Sequence, residues 1–414
     1  MPVREAAPGL RPLAVQPDSQ RLVLQCLRRL GEASRADLAR AAGLTHTAVG
    51  QIVARLERAG LLRSAGRRQQ GQRGQPAHLV TLEPKGAAAL GVRLDRGRIE
   101  TVLADLSGAL LGQRAHDGML PPPEEALACV RRDVEGLIAA LPAARRRRIS
   151  GIGVARPYNL GSWLATLGLP PDSFTAWDRF TFGDELARAT GLPVIEENDG
   201  TAAAIAELLH GAGRRQDDFL YVFIGPAVGG GLVLDGQAVR GRTGNAADIG
   251  VIPVAPSRLS SAPEAPGGRD ILLGRASVAA LMRHLRARGE TPSALTALPP
   301  TEAVAEWLED CAAALVEPLL AARALLGVPL VVIDGDLPAP LLDRLIGRLS
   351  PMLWAATAQS RRPPALARGS FGATAGALGA ASMPLFLQIG PGAGRIGGGP
   401  RDRNRIGDVH ALTT

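Results

Sequence analysis

Residues 34–62, SRADLARAAGLTHTAVGQIVARLERAGLL, hold the spacing that decides the architecture of the amino-terminal region. Ser34 with Asp37 three residues on is a capping-box-like helix start. Leu38, Ala41 and Ala42 give a small apolar face, and Gly43 ends the segment. Thr45 can cap a further helix in which Val49, Ile52, Val53 and Leu56 fall at i, i+3, i+4 and i+7, and Gly60 stops it. Two short helices across a tight Gly43–Leu44 turn form the helix-turn-helix pattern. Upstream, Val23, Cys26, Leu27 and Leu30 make another apolar stripe, closed by Gly31. Downstream, residues 61–82 read as two strands around an Arg/Gly/Gln tip that carries Arg67, Arg68 and Arg73. Residues 18–82 are therefore expected to be an all-α winged helix-turn-helix.

Such a domain binds DNA through its last helix. If that helix enters a major groove, His46, Thr47, Gly50 and Gln51 face the bases and Arg55 lies nearer the backbone. Gln51 can pair bidentately with adenine, and Thr47 can touch a thymine methyl. The wing arginines can reach phosphates or the minor groove. The competing readings are a plain three-helix bundle with solvated polar groups, and a basic loop with no ligand.

Charge favours DNA. Residues 1–80 hold thirteen arginines against five acids, an excess that equals the +8 of the whole chain, so the remainder is neutral. A basic head on a neutral body suggests a polyanion-binding end. The 414 residues, 46% hydrophobic and 21% charged, allow two or three globular domains. Lys85 is the sole lysine, so there is no G-K-[ST] phosphate loop and little room for Schiff-base chemistry. The three cysteines, Cys26, Cys129 and Cys311, are far apart, which excludes a disulfide scaffold and fits a reducing cytoplasm. The most apolar stretch, around Leu315–Ile333, is broken by Glu317, Pro318 and Arg323, so no membrane span is expected. Nor do the first twenty residues, with Arg4, Glu5 and Arg11, read as a secretory signal.

From Ala88 the pattern changes. Three strand-length runs (88–94, 98–103, 109–114) are followed by a helix at 123–141 and a strand at 149–154. A helix at 182–190, a strand at 193–195 and a helix at 202–210 lead to a second three-strand series at 219–224, 230–234 and 237–240. Helices fill much of 270–326, and a strand at 330–333 runs into Gly335. The repeat predicts a duplicated α/β unit over residues 83–387, with a ligand cleft between two lobes. Residues 1–17 are expected to be flexible, and the Gly/Arg-rich tail 388–414 disordered.

Several segments together resemble the ROK family, the group of repressors, open reading frames and sugar kinases, and in particular its regulator branch. The head stretch quoted above and the GQP at 74–76 resemble that branch's helix-turn-helix and wing, with Gly50 where serine is usual. VIEENDGTAAAIAELLHG at 194–211 resembles the family's Asn-Asp motif, IGPAVGGGLVLDG at 224–236 its glycine-rich phosphate loop, GNAADIGV at 244–251 its sugar-binding glutamate segment, and IDGDLP at 333–338 its nucleotide-side turn. The resemblance implies a body of duplicated actin/hexokinase-like (ribonuclease H-like) lobes. It implies Asn198, Asp199 and Asp248 as sugar ligands, with Asp199 at the catalytic-base position, and Gly225, Gly229, Gly230 and Gly231 as the phosphate loop. A carboxylate there can accept a hydrogen bond from a sugar hydroxyl and, in a kinase, take its proton. Taken alone, Asn-Asp after a strand reads equally as a turn or helix cap.

The departures from the family bear on function. In GVRLDRGR, Gly91–Arg98, Arg93 replaces an acid, and Asp95-Arg96-Gly97 replaces Gly-Gly-Thr, so Asp95 would repel a phosphate and Arg96 would crowd it. Pro226 replaces threonine and removes an N–H donor. Val251 stands where the family has its zinc histidine, and SRLSSAPEAPGG (257–268) has no cysteine, so a zinc site of the family type is not expected. The expectation is a sugar-responsive transcriptional regulator, a homodimer or homotetramer on operator DNA with a sugar or sugar-phosphate effector. It would need no cofactor and no membrane. The alternatives are an ATP-dependent hexose kinase with a DNA-binding domain, using ATP and Mg²⁺, and a repressor whose body only dimerises. Trp177 is either a sugar-facing or a core tryptophan.

Overall fold

The computed structural model describes residues 18–68, 77–292, 294–357 and 362–389. The amino-terminal domain contains helices α1 (Asp18–Leu30), α2 (Arg35–Ala42) and α3 (His46–Arg58) and strands β1 (Glu32–Ser34), β2 (Leu62–Arg68) and β3 (Ala77–Leu82). The caps form as the sequence dictates. The Asp37 N–H donates to Ser34 Oγ at 3.2 Å and the Ser34 N–H to Asp37 Oδ2 at 3.1 Å, while the Ala48 N–H donates to Thr45 Oγ1 at 3.2 Å. The domain is not all-α, however. Between Gly31 and the Ser34 cap the chain is extended, and β1 pairs antiparallel with β3, making a three-stranded sheet of order β1-β3-β2. The Thr81 hydroxyl fixes the join by donating to the Gly31 carbonyl at 2.7 Å. Three residues are too few for a periodic pattern, which is why β1 is invisible in the sequence. Arg73 and the GQP at 74–76 lie outside the described residues.

The body repeats one unit. In the first lobe, β4 (Ala88–Asp95), β5 (Arg98–Asp105) and β6 (Leu110–Asp117) form an antiparallel meander. Helices α4 (Pro123–Ala139) and α5 (Ala143–Arg146) lead to β7 (Ile149–Arg156), and α6 (Phe182–Thr190) leads to β8 (Val194–Asn198). The sheet order is β6-β5-β4-β7-β8, with β7 parallel to both β4 and β8. Helix α7 (Asp199–His210) crosses to the second lobe, where β9 (Phe219–Ile224), β10 (Val228–Leu234) and β11 (Gln237–Val239) form the second meander. A small β12 (Pro253–Val254)–β13 (Asp270–Ile271) pair precedes α8 (Leu272–Ala276), α9 (Val278–Ala287) and α10 (Glu302–Leu326). Then follow β14 (Leu330–Gly335), α11 (Ala339–Ala356), β15 (Ala365–Arg368) and α12 (Ala375–Ile389). This sheet runs β11-β10-β9-β14-β15, the same order as the first. The duplication expected from the sequence is thus present strand for strand.

Helices α7 and α12 pack against each other between the sheets. Their contact needs glycine: a Cβ on Gly379 would lie 1.9 Å from the Ala202 carbonyl oxygen. The same helix pair carries the amino-terminal domain. Val23, Leu24 and Leu27 of α1 belong to one buried apolar cluster with Ala202, Ile205 and Leu208 of α7 and Ala380 and Met383 of α12. Around this seam Arg28, 5% exposed, donates to the Leu208 carbonyl, Arg214 donates back to the Arg28 carbonyl at 3.1 Å, and Arg29 pairs with Asp217. Burial, then the neighbouring Arg29 charge, pulls Arg28 down to about 10.

His210 ends α7 at this seam, its Nε2 3.1 Å from Ser382 Oγ. Burial, then the charges of Arg28 and Arg214, lowers its pKa from 6.5 to about 4. The folded state therefore keeps His210 neutral where the unfolded chain protonates it, and this contribution to stability is lost as pH falls from 6.5 towards 4. Urea denaturation of His210→Gln and wild type at pH 7.5 and 4.5 should show the variant losing less stability on acidification, by about 1–2 kcal/mol.

Candidate functional site

The cleft between the lobes occupies about 910 Å³, its open mouth included. The expected hydroxyl-binding residues come from two segments. β8 runs to Asn198, whose Oδ1 accepts from the N–H groups of Gly200 and Thr201 at 2.9 and 3.2 Å and so caps α7. The cap reading of this motif is therefore true, and it is also what fixes the site. With Oδ1 committed to the helix, the Asn198 amide N–H₂ remains the group that can donate to a ligand. Asp199, the first residue of α7, lines the cleft beside it. Burial, then the Asp95 charge, raises the Asp199 pKa above its ordinary value, against the pull of Arg93. Asp248 enters from the second lobe after Ala247, which has a φ of 60°, and accepts from Asn245 Nδ2 at 2.8 Å. All three expected sugar ligands line one cleft.

The phosphate side is different. Gly229, Gly230 and Gly231 lie within strand β10, paired with Phe223, Val222 and Tyr221, rather than in a loop; Gly225 sits in the turn before it. Only Gly229 of the four lines the cleft. Gly231 and Gly200 meet back to back: a Cβ on either would lie 2.4 or 2.2 Å from a carbonyl oxygen of the other strand or helix. Packing of α7 onto β10 thus demands glycine here with no phosphate involved.

Arg93 fills the neighbouring space. It is 4% exposed, donates to Asp95 Oδ2 at 2.9 Å and to the Ala373 carbonyl at 2.8 Å, lies 3.6 Å from Asp336 Oδ1, and stands over the Phe223 ring at 5.1 Å. Burial opposes its charge, but Asp95, Asp336 and Asp199 outweigh that and raise its pKa. The guanidinium therefore ties the first lobe to the second. Burial pushes Asp336 up to about 6 despite the pull of Arg93. Arg96 lines the cleft, and its guanidinium is engaged there, donating to the carbonyls of Leu160 and Asn159 at 2.9 Å each and of Ser162 at 3.1 Å.

Sequence reasoning missed what that clamp holds, the loop bearing Tyr158 and Trp163, both of which line the cleft. Trp177 is instead a core residue, 3% exposed, stacked on Phe182 with its indole N–H on the Pro121 carbonyl at 3.2 Å. Nothing in local pattern separates an isolated Trp in a loop from one in a core.

Val251 lines the cleft at the position of the family's zinc histidine. The cysteine-free segment nearby is anchored by side chains instead: Ser261 Oγ lies 2.8 Å from His284 Nδ1, and Arg283 donates to the Ser261 carbonyl at 3.2 Å. Among the described residues, one group of potential metal ligands stands close together, His116, Cys129 and Asp133, with ligand atoms within 4.8 Å of one another. None of them lines the cleft, and His116 Nε2 already meets Asp133 Oδ2 at 2.8 Å.

On the amino-terminal domain, His46, Thr47, Gln51 and Arg55 are exposed on α3, opposite its buried Val49, Ile52, Val53 and Leu56. Gly50 lies on this helix with nothing within 4 Å of an added Cβ, so no contact inside the protein calls for glycine there. Arg67 is exposed on β2, opposite His78; Arg68 ends that strand. Among the described residues, no helix is long and apolar enough to cross a membrane.

Comparison with known proteins follows the same division. The family model described as ROK family matches residues 89–385, and the MarR family model matches residues 17–66. An uncharacterised protein of Sinorhizobium fredii, y4fQ, is 32% identical over 92% of this chain and 94% of its own length. The DNA-binding transcriptional repressor Mlc of Escherichia coli is 26% identical, over 56% of this chain and 57% of the repressor, so the match spans little more than half of that relative. A crystal structure of a ROK family transcriptional regulator, a homologue of the E. coli protein, superposes with a TM-score of 0.62 at 22% identity, covering 90% of this chain and 98% of the other.

Replacing Arg93 by Met should strand Asp95 and Asp336 without their cation and cost about 3–5 kcal/mol of stability in denaturant titrations. The loss should be smaller at pH 5 than at pH 8, because Asp336, already pushed up to about 6, takes up a proton.

Proposed function

The chain belongs to the ROK family, and from that premise we propose that it is a sugar-responsive transcriptional regulator. Its amino-terminal domain reads operator DNA with α3 and the wing, and its cleft senses a sugar. The observation that carries this reading is the course of α7. The helix starts at Asn198 and Asp199 in the cleft and ends where Arg28 of α1 grips Leu208. A ligand acts on DNA affinity only through different affinity for two conformations. A sugar that draws the lobes together bears on α7, and α7 bears directly on the DNA-binding domain. The relative named as a DNA-binding transcriptional repressor supports the same reading.

Gln51, Thr47 and His46 meet base edges in this reading, and Arg55, Arg67, Arg68 and Arg73 meet phosphates or the minor groove. Gly50, which serves no packing need, lets the DNA approach α3 closely. The protein acts as a homo-oligomer on a two-fold operator in the cytoplasm, without a cofactor. A kinase activity is disfavoured: Asp199 stands at the base position, but Arg93 and its carboxylate partners fill the space beside the cleft, and Pro226 removes a donor from the β9–β10 turn.

Two measurements test this. With an operator fragment, Gln51→Ala should cost about 1–3 kcal/mol on the specific site and little on random DNA, whereas Arg67→Ala should weaken both and reduce the salt slope. DNA binding that survives removal of residues 1–82 sinks the reading. In DNA titrations with and without the active sugar, Asp199→Ala and Asp248→Ala should abolish the sugar's effect and leave sugar-free binding near wild type, since each leaves a ligand hydroxyl unpaired at about 1–3 kcal/mol. An unchanged sugar response in both variants would mean that the sensor lies elsewhere.

A further inference from the structure

We infer that the ligand is an unphosphorylated glycoside with an apolar aglycone, its sugar ring held by the acidic side of the cleft and its aglycone by an aromatic rim of Tyr158 and Trp163. This rests on the reading of Asn198, Asp199 and Asp248 as sugar ligands and extends it to two aromatic residues that line the same cleft.

The first observation is the rim. Tyr158 is 48% exposed and Trp163 39% exposed, and both line the cleft. Of the chain's four tryptophans and two tyrosines, Trp177, Trp307 and Tyr221 are buried, Trp354 is exposed away from the cleft, and Tyr158 and Trp163 are the two that open onto it. Val251 and Leu273 line the same cleft and add aliphatic surface. The second observation is that the rim is held in place. Trp163 has a φ of 64°, a conformation that bulky residues rarely adopt and that persists only where the surroundings enforce it. The three hydrogen bonds from Arg96 to the carbonyls of Asn159, Leu160 and Ser162 supply that enforcement on the residues just before it. Arg96 is thus a positioning residue for the rim.

The third observation is charge. Asp95, Asp199 and Asp248 line the cleft, and its two guanidiniums are engaged already, Arg93 with Asp95, Asp336 and the Ala373 carbonyl, Arg96 with the loop. A phosphoryl group would meet carboxylates with no cation to spare. A neutral sugar brings hydroxyls to the acids. The anomeric oxygen is where sugars carry substituents, and an aryl or alkyl aglycone there gains from aromatic faces what a free hydroxyl cannot.

The test is calorimetry on the full chain with free, methyl and phenyl α- and β-glycosides of glucose, galactose and xylose, with glucose 6-phosphate and with phenol. A phenyl glycoside should bind about fivefold tighter than its methyl counterpart. That ratio should fall to near one in Trp163→Ala and drop in Arg96→Ala, while glucose 6-phosphate binds more weakly than glucose. Thermal melting of both variants confirms that they fold; if Arg96→Ala does not, the Trp163→Ala ratio decides. Equal binding of phenyl and methyl glycosides, with both lost in Asp199→Ala, would overturn the rim and leave the sugar site standing. Binding of phenol as tight as the glycosides, unaffected by Asp199→Ala, would overturn the sugar site itself. If nothing in the panel binds, both fall.

Discussion

Backbone touching backbone at the middle of the molecule is the constraint on which the rest depends. α12 approaches α7 so closely at Gly379 that a single methyl group would collide with the Ala202 carbonyl, and α7 meets β10 in the same way at Gly200 and Gly231. Side chains cannot serve as spacers at these points, so the helix is seated by main chain on both sides. That removes much of its freedom to shift sideways while leaving axial and rocking displacements possible. Because the first residue of α7 is Asp199 and its amino-terminal cap is Asn198, the geometry of the cleft inherits this rigidity.

Electrostatics then shape the side of the cleft next to Asp199. In a sugar kinase the phosphate loops and the transferred phosphoryl group need bare N–H donors and free cations. Here a buried arginine lies beside the cleft, held by Asp95 from its own strand and Asp336 from the opposite lobe. The ion pair joins the two lobes at this point. The neighbouring Arg96, which sequence reasoning treated as an obstruction, lines the cleft and also organises a loop. Both arginines lie within four residues of the first hairpin, Arg93 on β4 and Arg96 in the turn after it.

How much of this was legible depended on the range of the interaction concerned. Helix caps such as Ser34–Asp37 and Thr45–Ala48 are three-residue events, and the sequence reveals them directly. The doubled strand series is readable because turns and apolar runs repeat in order. The Asn-Asp motif was readable in chemistry and ambiguous in role, since Asn198 caps α7 and lines the cleft at once. What stayed hidden has sequence separations of tens to hundreds of residues: Arg96 on Asn159, Arg93 on Ala373, Arg28 on Leu208. No periodicity encodes such contacts, and an exposed arginine reads the same as a buried one until its partner is known. The glycine run of β10 fell both in the expected strand at 230–234 and in the segment that resembles a phosphate loop, because demand for close packing and demand for phosphate access both select glycine.

The seam between α1 and the central helices bears on how such proteins diversify. Regulators with separable parts can exchange one DNA-binding domain for another by recombination at a linker. Here Val23, Leu24 and Leu27 are buried against α7 and α12, and Arg148 of the body donates to the Ala59 carbonyl at the end of α3. A transplanted domain would have to bring the same apolar ridge on its first helix and the same open carbonyl after its last. A domain lacking them would leave Ile205, Leu208 and Met383 facing water. The exposed face of α3 is therefore free to change in sequence, while the domain that carries it is far less free to be replaced.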